Sequence, residues 1–563
     1  MNAFHVALVC LAMLFLAYRY YSRFLSKNVF REGESQTLPP SVEFNDGIDF
    51  VPTRKDVLFG HHFSSIAGAA PILGPAIAII WGWLPALLWI VLGSILLGAV
   101  HDYGALVLSM MFKGRSIGSI TGDILGKRSR YLFLLIIFLL VFIVIAVFAY
   151  IIATLFVLYP GSVIPINFEI FVALYIGWQT KKSKAGLLWP SIFALILLYG
   201  TIYIGHLYPI VLNEKYCLGG SAVFTWLVFL LTYGYIAAVL PVTVLLQPRD
   251  FINSHQLILG LLIIYAGMYF AEPVIVAPAV NMRDTGVSWF PYLFITIACG
   301  AISGFHALVS SGTTSKQVER FEDARPIGYG SMLGEATLAV AATLAVASGF
   351  DDEASWMEHY SSFSGAEGLS SKLSAFVGGT SDFVQPVLNF LHLDGSGDLA
   401  AVFISVLVIS FAATSLDTAV RIQRYVIGEI GSGLGFRRAD NRFLTTAWAV
   451  LFSLILVISD SSGSGGLLLW PLFGTTNQLL GALTLMIITI WLFVNGRNFW
   501  ITLLPLLALL FIVTLAACYN LVLYARGGNI ALMFVAVLIL CSHLWLLIEG
   551  LRFTRKRISN RRH

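Results

Sequence analysis

Fifteen stretches of this chain are too apolar to be anything but membrane-spanning helices, and most are long enough to cross a bilayer. Their approximate spans are 3–20, 59–80, 83–112, 131–158, 165–178, 186–204, 222–246, 256–280, 289–310, 328–350, 398–428, 442–459, 466–493, 499–522 and 530–552. A spanning helix needs roughly 17–25 apolar residues, so 165–178 is the marginal member. Of the 563 residues, 58% are hydrophobic and 11% charged. A soluble domain carries about 25% charged residues, and no soluble fold of this length could cover so much apolar surface. The fold class expected is an all-α polytopic membrane protein of about 15 transmembrane helices.

Positive charge orients the helices. With the N-terminus outside and the segments alternating, 30 of the 34 Lys and Arg fall in inner loops or at inner helix ends. Outside there remain Lys215, Arg283, Lys372 and Arg526. The positive-inside rule asks for this asymmetry, and omitting 165–178 would destroy it. The C-terminus is therefore cytoplasmic. The first segment reads as an anchor, because no Lys or Arg precedes it and Arg19, Arg23 and Lys27 follow. The near balance of basic and acidic residues gives no reason to expect nucleic acid. Cys10, Cys217, Cys299, Cys518 and Cys541 show no paired spacing and read as small core residues.

Helix breakers at membrane depth are informative, since backbone groups freed in lipid have no water to bond. The second segment, GHHFSSIAGAAPILGPAIAIIWGW, carries Gly60, Gly68, Pro71, Gly74 and Pro75. The seventh carries Gly234 and, seven residues on, Pro241. Five segments separate the two starts. An odd spacing runs the copies in opposite directions, as in an inverted repeat of five helices with two interrupted helices facing each other at the midplane. Proline kinks in ordinary helices would leave the same residues. The division expected is 1–58 as N-terminal helix and inner loop, 59–204 as first repeat and 222–428 as second, including an outer loop 351–397. Additional helices fill 442–552, and 553–563 is a basic inner tail. Within the outer loop, 383–393 is apolar enough to lie along the membrane surface.

Small polar residues gather in two further segments. In the ninth, Gly300, Ser303, Gly304, Ser310, Ser311 and Gly312 suit close helix packing or oxygen ligation of a hard cation such as Na⁺. In the thirteenth, Thr475, Thr476, Asn477 and Gln478 could bond helix to helix or meet a solute. Ionisable groups at membrane depth are functional candidates. They are His61, His62, His101, Asp102, His306, Glu335 and Asp417 as proton carriers, and Asp417 with Arg421 and Arg424 as an ion pair along one helix face. Glu335 has no partner one turn away, so it must find one across helices or carry a proton. No nucleotide-binding loop, metalloprotease motif, nucleophile elbow or haem signature occurs, so neither an enzyme nor a metal or cofactor is expected.

The motifs GHHFSSIAGAAPILGPAIA, GWLPALLWIVLGSILLGAVHDY, SGFHALVSSGTTSKQ, SLDTAVRIQRY and LLLWPLFGTTNQLLGA, in this order, resemble the carbon starvation protein A (CstA) family over about 59–480. That resemblance implies a bacterial inner-membrane transporter taking up peptides under carbon starvation, with H⁺ (or Na⁺) as coupling ion. Alternatives are a proton- or sodium-coupled symporter of pyruvate or another small carboxylate, and a transporter-like starvation sensor. It also implies the LeuT-like 5+5 inverted-repeat fold, with additional N- and C-terminal helices. By that likeness Ser64, Ser65, Gly68, Pro71 and Gly74 face Tyr233, Gly234 and Tyr235 across the substrate, and Ser310, Ser311 and Thr314 are the candidate cation ligands.

Overall fold

The computed structural model describes residues 1–34, 37–183, 186–363, 368–393, 397–458 and 470–562. In chain order the helices are α1 (Ala3–Phe30), α2 (Lys55–Ile66), α3 (Ala70–Trp81), α4 (Trp83–Met111), α5 (Ile117–Leu125), α6 (Lys127–Leu158), α7 (Val163–Ser183) and α8 (Leu188–Leu207). There follow α9 (Ala222–Val239), α10 (Leu246–Ala271), α11 (Trp289–Thr296), α12 (Gly304–Gly312), α13 (Phe321–Ser348), α14 (Glu353–His359) and α15 (Leu369–Phe390). The last are α16 (Gly397–Gly433), α17 (Arg442–Ile458), α18 (Trp470–Val494), α19 (Trp500–Arg526) and α20 (Ile530–Arg562). Among the described residues there is no strand. Twelve spans are long and apolar enough to cross a membrane, and the bent pair α2–α3 makes a thirteenth. The short α17 and the split α11–α12 supply the other two of the fifteen segments. The first residues of the thirteenth segment, 466–469, lie outside the described residues.

Local chemistry sets the ends. Asn2 caps α1 by accepting from Phe4 N at 2.8 Å, and Ser221 caps α9 through Phe224 N at 3.2 Å. Gly82, at φ 103°, turns α3 into α4 where an added Cβ would meet Ala279 O at 2.5 Å. The marginal fifth segment is a full helix, α7, because the residues flanking 165–178 extend it to 21 residues.

The second segment breaks as expected, at 67–69, with a bend of 43° between α2 and α3. Pro71 sits in the first turn of α3, where its missing N–H costs no bond. The carbonyls freed at the end of α2 are satisfied by α16. Thr414 Oγ1 donates to Ser64 O and Ser415 Oγ to Ser65 O, both at 2.9 Å. Gly68 N closes on Ile66 O at 2.8 Å.

The second break is not where the seventh segment was expected to have one. Helix α9 runs unbroken through Gly234 and ends before Pro241, which begins the turn into α10. A single glycine keeps its helical bonds, and here it makes room for Val420 of α16, 3.4 Å from an added Cβ. Segment nine is the interrupted one: α11 stops at Thr296, α12 starts at Gly304, and 297–303 is irregular. Asn477 of α18 caps α12, its Oδ1 accepting from Phe305 N at 2.9 Å and Ser303 Oγ at 3.2 Å. Trp89 Nε1 donates to Ile297 O at 3.2 Å. Seven segments now separate the breaks, still an odd number, so the two helices cross in opposite directions. They touch where α3 meets the end of α11: a Cβ on Gly74 would lie 2.6 Å from Thr296 O. The described residues form an all-α bundle built around these two interrupted helices.

Three further expectations are corrected. The inner loop 247–255 is helical, forming the first turns of α10, with Arg249 and Asp250 buried. The apolar stretch near 383 does not float on the bilayer. It belongs to α15, which packs so closely on α10 that a Cβ on Gly267 would overlap Phe383 O. Of the cysteines, only Cys10 and Cys299 are buried; Cys518 and Cys541 lie on the outer faces of α19 and α20, and Cys217 is half-buried.

Candidate transport site

Two cavities approach the crossing of the broken helices from opposite sides. The one on the side expected to be outer, about 500 Å³, is lined by Ala70 and Gly74 of α3, Thr296, Ala298 and Cys299 at the second break, and Tyr292 of α11. Asp284 in the preceding loop is its one charged lining residue among the described residues, and Asn520 and Tyr524 of α19 complete the wall. The Tyr292 hydroxyl donates to Asn520 Oδ1 at 2.8 Å, which ties α19 to α11. The inner cavity, about 420 Å³, is lined by Leu308, Ser311 and Gly312 of α12, Ile422 and Arg424 of α16, and Asp49 and Lys316. Between the cavities the core is closed. Ser65 Oγ and Thr418 Oγ1 meet at 3.0 Å, and an added Cβ on Gly68 would meet Phe148 and Ser415 at 2.7 Å.

The expected site residues divide accordingly. Gly74 lines the outer cavity. Ser64 and Ser65 are turned to α10 and α16, Ser64 Oγ donating to Asp250 O at 3.0 Å. Gly68 and Pro71 are buried at the break. Tyr233 belongs to an ion-pair network described below, Gly234 faces α16, and Tyr235 is half-buried outside both cavities.

The membrane-depth acids and histidines form two separate networks. In the first, His101 Nδ1 lies 2.7 Å from Asp102 Oδ1, and His306 Nδ1 lies 2.8 Å from Asp102 Oδ2. On the other side of the same imidazole, His306 Nε2 is 3.2 Å from Glu335 Oε2, within reach but not aligned as a hydrogen bond. Helices α4, α12 and α13 are thereby joined by a fully buried line, His101–Asp102–His306–Glu335. Glu335 thus finds its partner across helices. No Lys or Arg pairs with this line among the described residues, so its net charge depends on the protons it holds. His62 stands near it, its Nδ1 2.8 Å from Thr314 Oγ1.

The second network centres on Arg249. It pairs with Glu169 of α7 at 3.3 Å and with Asp417 of α16, while the Tyr233 hydroxyl donates to Asp417 at 2.8 Å. Asp250, the next residue, pairs with His61. This overturns the expected pairing of Asp417 with Arg421 and Arg424. Those arginines instead reach Asp49 of the 31–54 loop, at 2.8 and 3.1 Å, because their long side chains extend toward the inner end of α16. Glu169, Arg249 and Asp250 were missed. Glu169 sits alone in the apolar run INFEIF, the signal applied to Glu335, and Pro248 in the first turn of α10 was a helix start.

The three hydroxyls expected as cation ligands point apart. Ser311 Oγ donates to Ala307 O at 2.7 Å, Ser310 Oγ approaches Asp102 O at 3.4 Å, and Thr314 faces His62.

Comparison with known proteins identifies the family. The family model described as carbon starvation protein CstA matches residues 2–362 and 350–517. The chain is 33% identical to the peptide transporter CstA of Campylobacter jejuni, covering 93% of this chain and 81% of that one. It is 32% identical to the peptide transporter CstA of Escherichia coli, over 92% and 80%. It is 30% identical to the pyruvate/proton symporter BtsT of Escherichia coli, over 92% and 81%. Among solved structures, a manganese transporter of Eremococcus coleocola aligns with 90% of this chain at a TM-score of 0.49 and 13% identity. The chain belongs to the carbon starvation protein CstA family.

Proposed function

We propose that this protein is a proton-coupled importer of short peptides in a bacterial inner membrane, with its N-terminus outside and its C-terminus in the cytoplasm. The solute enters the outer cavity, crosses where α2–α3 and α11–α12 are interrupted, and leaves through the inner cavity. The repeats are α2–α6 with α9 and α10, and α11–α18. The pair α7–α8 is a hairpin inserted in the first repeat, which accounts for the spacing of seven.

The observation that carries the substrate class is the lining of the outer cavity. Among the described residues its charge is a single carboxylate, Asp284, and its volume of about 500 Å³ exceeds what a three-carbon acid fills. A keto acid brings only negative charge to that wall. A peptide brings an ammonium for Asp284 and a carboxylate for the start of α3, the positive end of that helix's dipole, where Ala70 lines the cavity. Coupling to protons rather than Na⁺ is supported by the His101–Asp102–His306–Glu335 line and by the divergence of Ser310, Ser311 and Thr314. The relatives named peptide transporters favour the same reading; the one named a pyruvate/proton symporter supplies the competing one. A binding screen of the purified protein against dipeptides, tripeptides and keto acids decides between them. Binding of pyruvate without binding of any peptide refutes the peptide reading.

A further inference from the structure

His61 and Asp250 form a buried pair that the transport reading leaves unused, with His61 Nδ1 on Asp250 Oδ2. The other carboxylates around them are held by guanidiniums. Arg249 pairs with Glu169 of α7 and Asp417 of α16, and Arg421 and Arg424 pair with Asp49. Arg249 and Arg421 also act on Asp250 from a distance, but a guanidinium keeps its charge at every pH the protein meets. The one ion-pair partner of Asp250 among the described residues is an imidazole, the side chain that gains and loses its charge near neutral pH. What varies at Asp250 is therefore the proton on His61. The remaining ionisable neighbours are engaged elsewhere. Tyr233 of α9 donates to Asp417, His255 of α10 has its Nδ1 on Phe251 O at 2.6 Å, and His62 meets the Thr314 hydroxyl. Lys316 stands over the Tyr425 ring on the Asp49 side, and His306 and Glu335 belong to the other network. The second ring nitrogen of His61, Nε2, is buried and makes no hydrogen bond with the described residues.

The pair is placed to act on the first break. His61 lies in α2 ahead of the interruption at 67–69, and α2 packs on α10 so closely that a Cβ on Gly60 would meet Ser254 Oγ at 2.6 Å. Opening a way from the crossing to the inner cavity requires the last turns of α2 to leave α10 and α16. Those turns are tied by Ser64 Oγ to Asp250 O, Thr414 Oγ1 to Ser64 O, Ser415 Oγ to Ser65 O, Ser65 with Thr418, and His61 with Asp250. Only the last joins two ionisable groups. With Nδ1–H donating to the carboxylate, a proton taken at Nε2 makes the imidazolium. The tie is then a charge-assisted bond at both ends, roughly twice as strong as a neutral one. The same proton leaves from Nε2, and the tie weakens. We propose that His61 and Asp250 form a second proton-binding site, whose proton latches the inner half of the interrupted helix onto α10 and whose loss releases it. The inference rests on the transport route given above, but not on the identity of the solute.

The test reads opening of the inner face in the full chain purified in detergent, with no solute added. Leu308 is buried on the wall of the inner cavity, so Leu308→Cys supplies a thiol that a maleimide reaches only on opening. Its labelling is followed by peptide mass mapping from pH 6 to pH 8, normalised at each pH to the same thiol in the denatured chain. The expected result is a several-fold rise in normalised labelling from pH 6 to pH 8. The rise is expected to vanish when Asp250→Asn or His61→Gln is added and to persist with Glu335→Gln, which alters the other network. Thermal unfolding checks that each variant is folded, and His61→Gln decides alone should Asp250→Asn fail to fold. A flat profile for Leu308→Cys by itself overturns the proposal without further variants. So does a rise that survives His61→Gln, or one lost with Glu335→Gln, which assigns the sensing to the His101–Asp102–His306–Glu335 line. Failure of peptide uptake, by contrast, overturns the solute assignment and leaves this profile as predicted.

Discussion

Asp49→Asn is expected to destabilise the closed inner face, by an amount the geometry sets. Asp49 lies in the loop between α1 and α2 and accepts from Arg421 Nη1 at 2.8 Å and from Arg424 Nη2 at 3.1 Å. The arginine side chains are 0% and 4% exposed and the carboxylate 18%. The loop is held beside them by Val51 N to Lys316 O at 3.1 Å, Thr53 N to Gln317 O at 3.0 Å and Val242 N to Ile48 O at 3.2 Å. Burial alone would raise the Asp49 pKa, but Arg421, Arg424 and Lys316 outweigh it and bring it down to about 2. Relative to an ordinary carboxylate this displacement is worth about 2 kcal/mol at neutral pH. Removing one partner of a buried ion pair costs roughly 3–5 kcal/mol. Arg421 and Arg424 keep backbone acceptors at Ala237, Leu240 and Ala238, which softens the loss. A destabilisation of about 2–4 kcal/mol follows, or roughly 2–3 °C in apparent Tm for a chain of this length. Because the folded pKa is depressed, this stability is present above the unfolded pKa near 4 and is lost as pH falls through about 2. Thermal unfolding of the detergent-solubilised protein and the variant, from pH 7 down to pH 2, reads both effects. An unchanged Tm at pH 7, or a difference that persists undiminished to pH 2, refutes the reasoning.

Glu335→Gln removes one end of the buried proton line while keeping its shape. Uptake driven by a pH gradient is expected to fall to background, with exchange of labelled for unlabelled substrate retained; retained gradient-driven accumulation rules out Glu335 as the carrier. Asn477→Ala uncaps α12 and is expected to cost about 1–2 kcal/mol, read as a lowered Tm, with slower transport because the second break loses its fixed geometry. Asp284→Asn is expected to raise the KM for peptide uptake several-fold while leaving folding intact. Equal KM values for the variant and the native protein would remove Asp284 from recognition.

How much was legible in the chain follows from what kind of signal each feature leaves. Apolar length is summed over many residues, so a helix or an interrupted helix at each of the fifteen segments was readable. The first break was readable because Gly68, Pro71, Gly74 and Pro75 crowd one span. The second was misplaced because Gly234 and Pro241 carry the same residue types without breaking the helix. Gly234 serves close packing and Pro241 merely follows a helix end. The real break at 297–303 has no proline and is built from small residues, which packing alone would also select. Its stabilising partner, Asn477, comes from α18, a contact no local pattern displays. The buried line of acids and histidines was half legible. Its four members were each named as candidates, but only the fold brings His306 between Asp102 and Glu335. The ion-pair partners were read wrongly for a related reason. Spacing along α16 puts Asp417, Arg421 and Arg424 on one face, yet Arg249 and Asp49 arrive from elements far away in sequence and compete successfully for them.

The most direct test of proton-coupled peptide import is uptake by the purified protein in proteoliposomes. A labelled dipeptide is supplied outside, with an inward proton gradient imposed. The expected result is accumulation above equilibrium that collapses when a protonophore dissipates the gradient. Equal uptake with and without the gradient, or none beyond protein-free vesicles for any peptide, would contradict it.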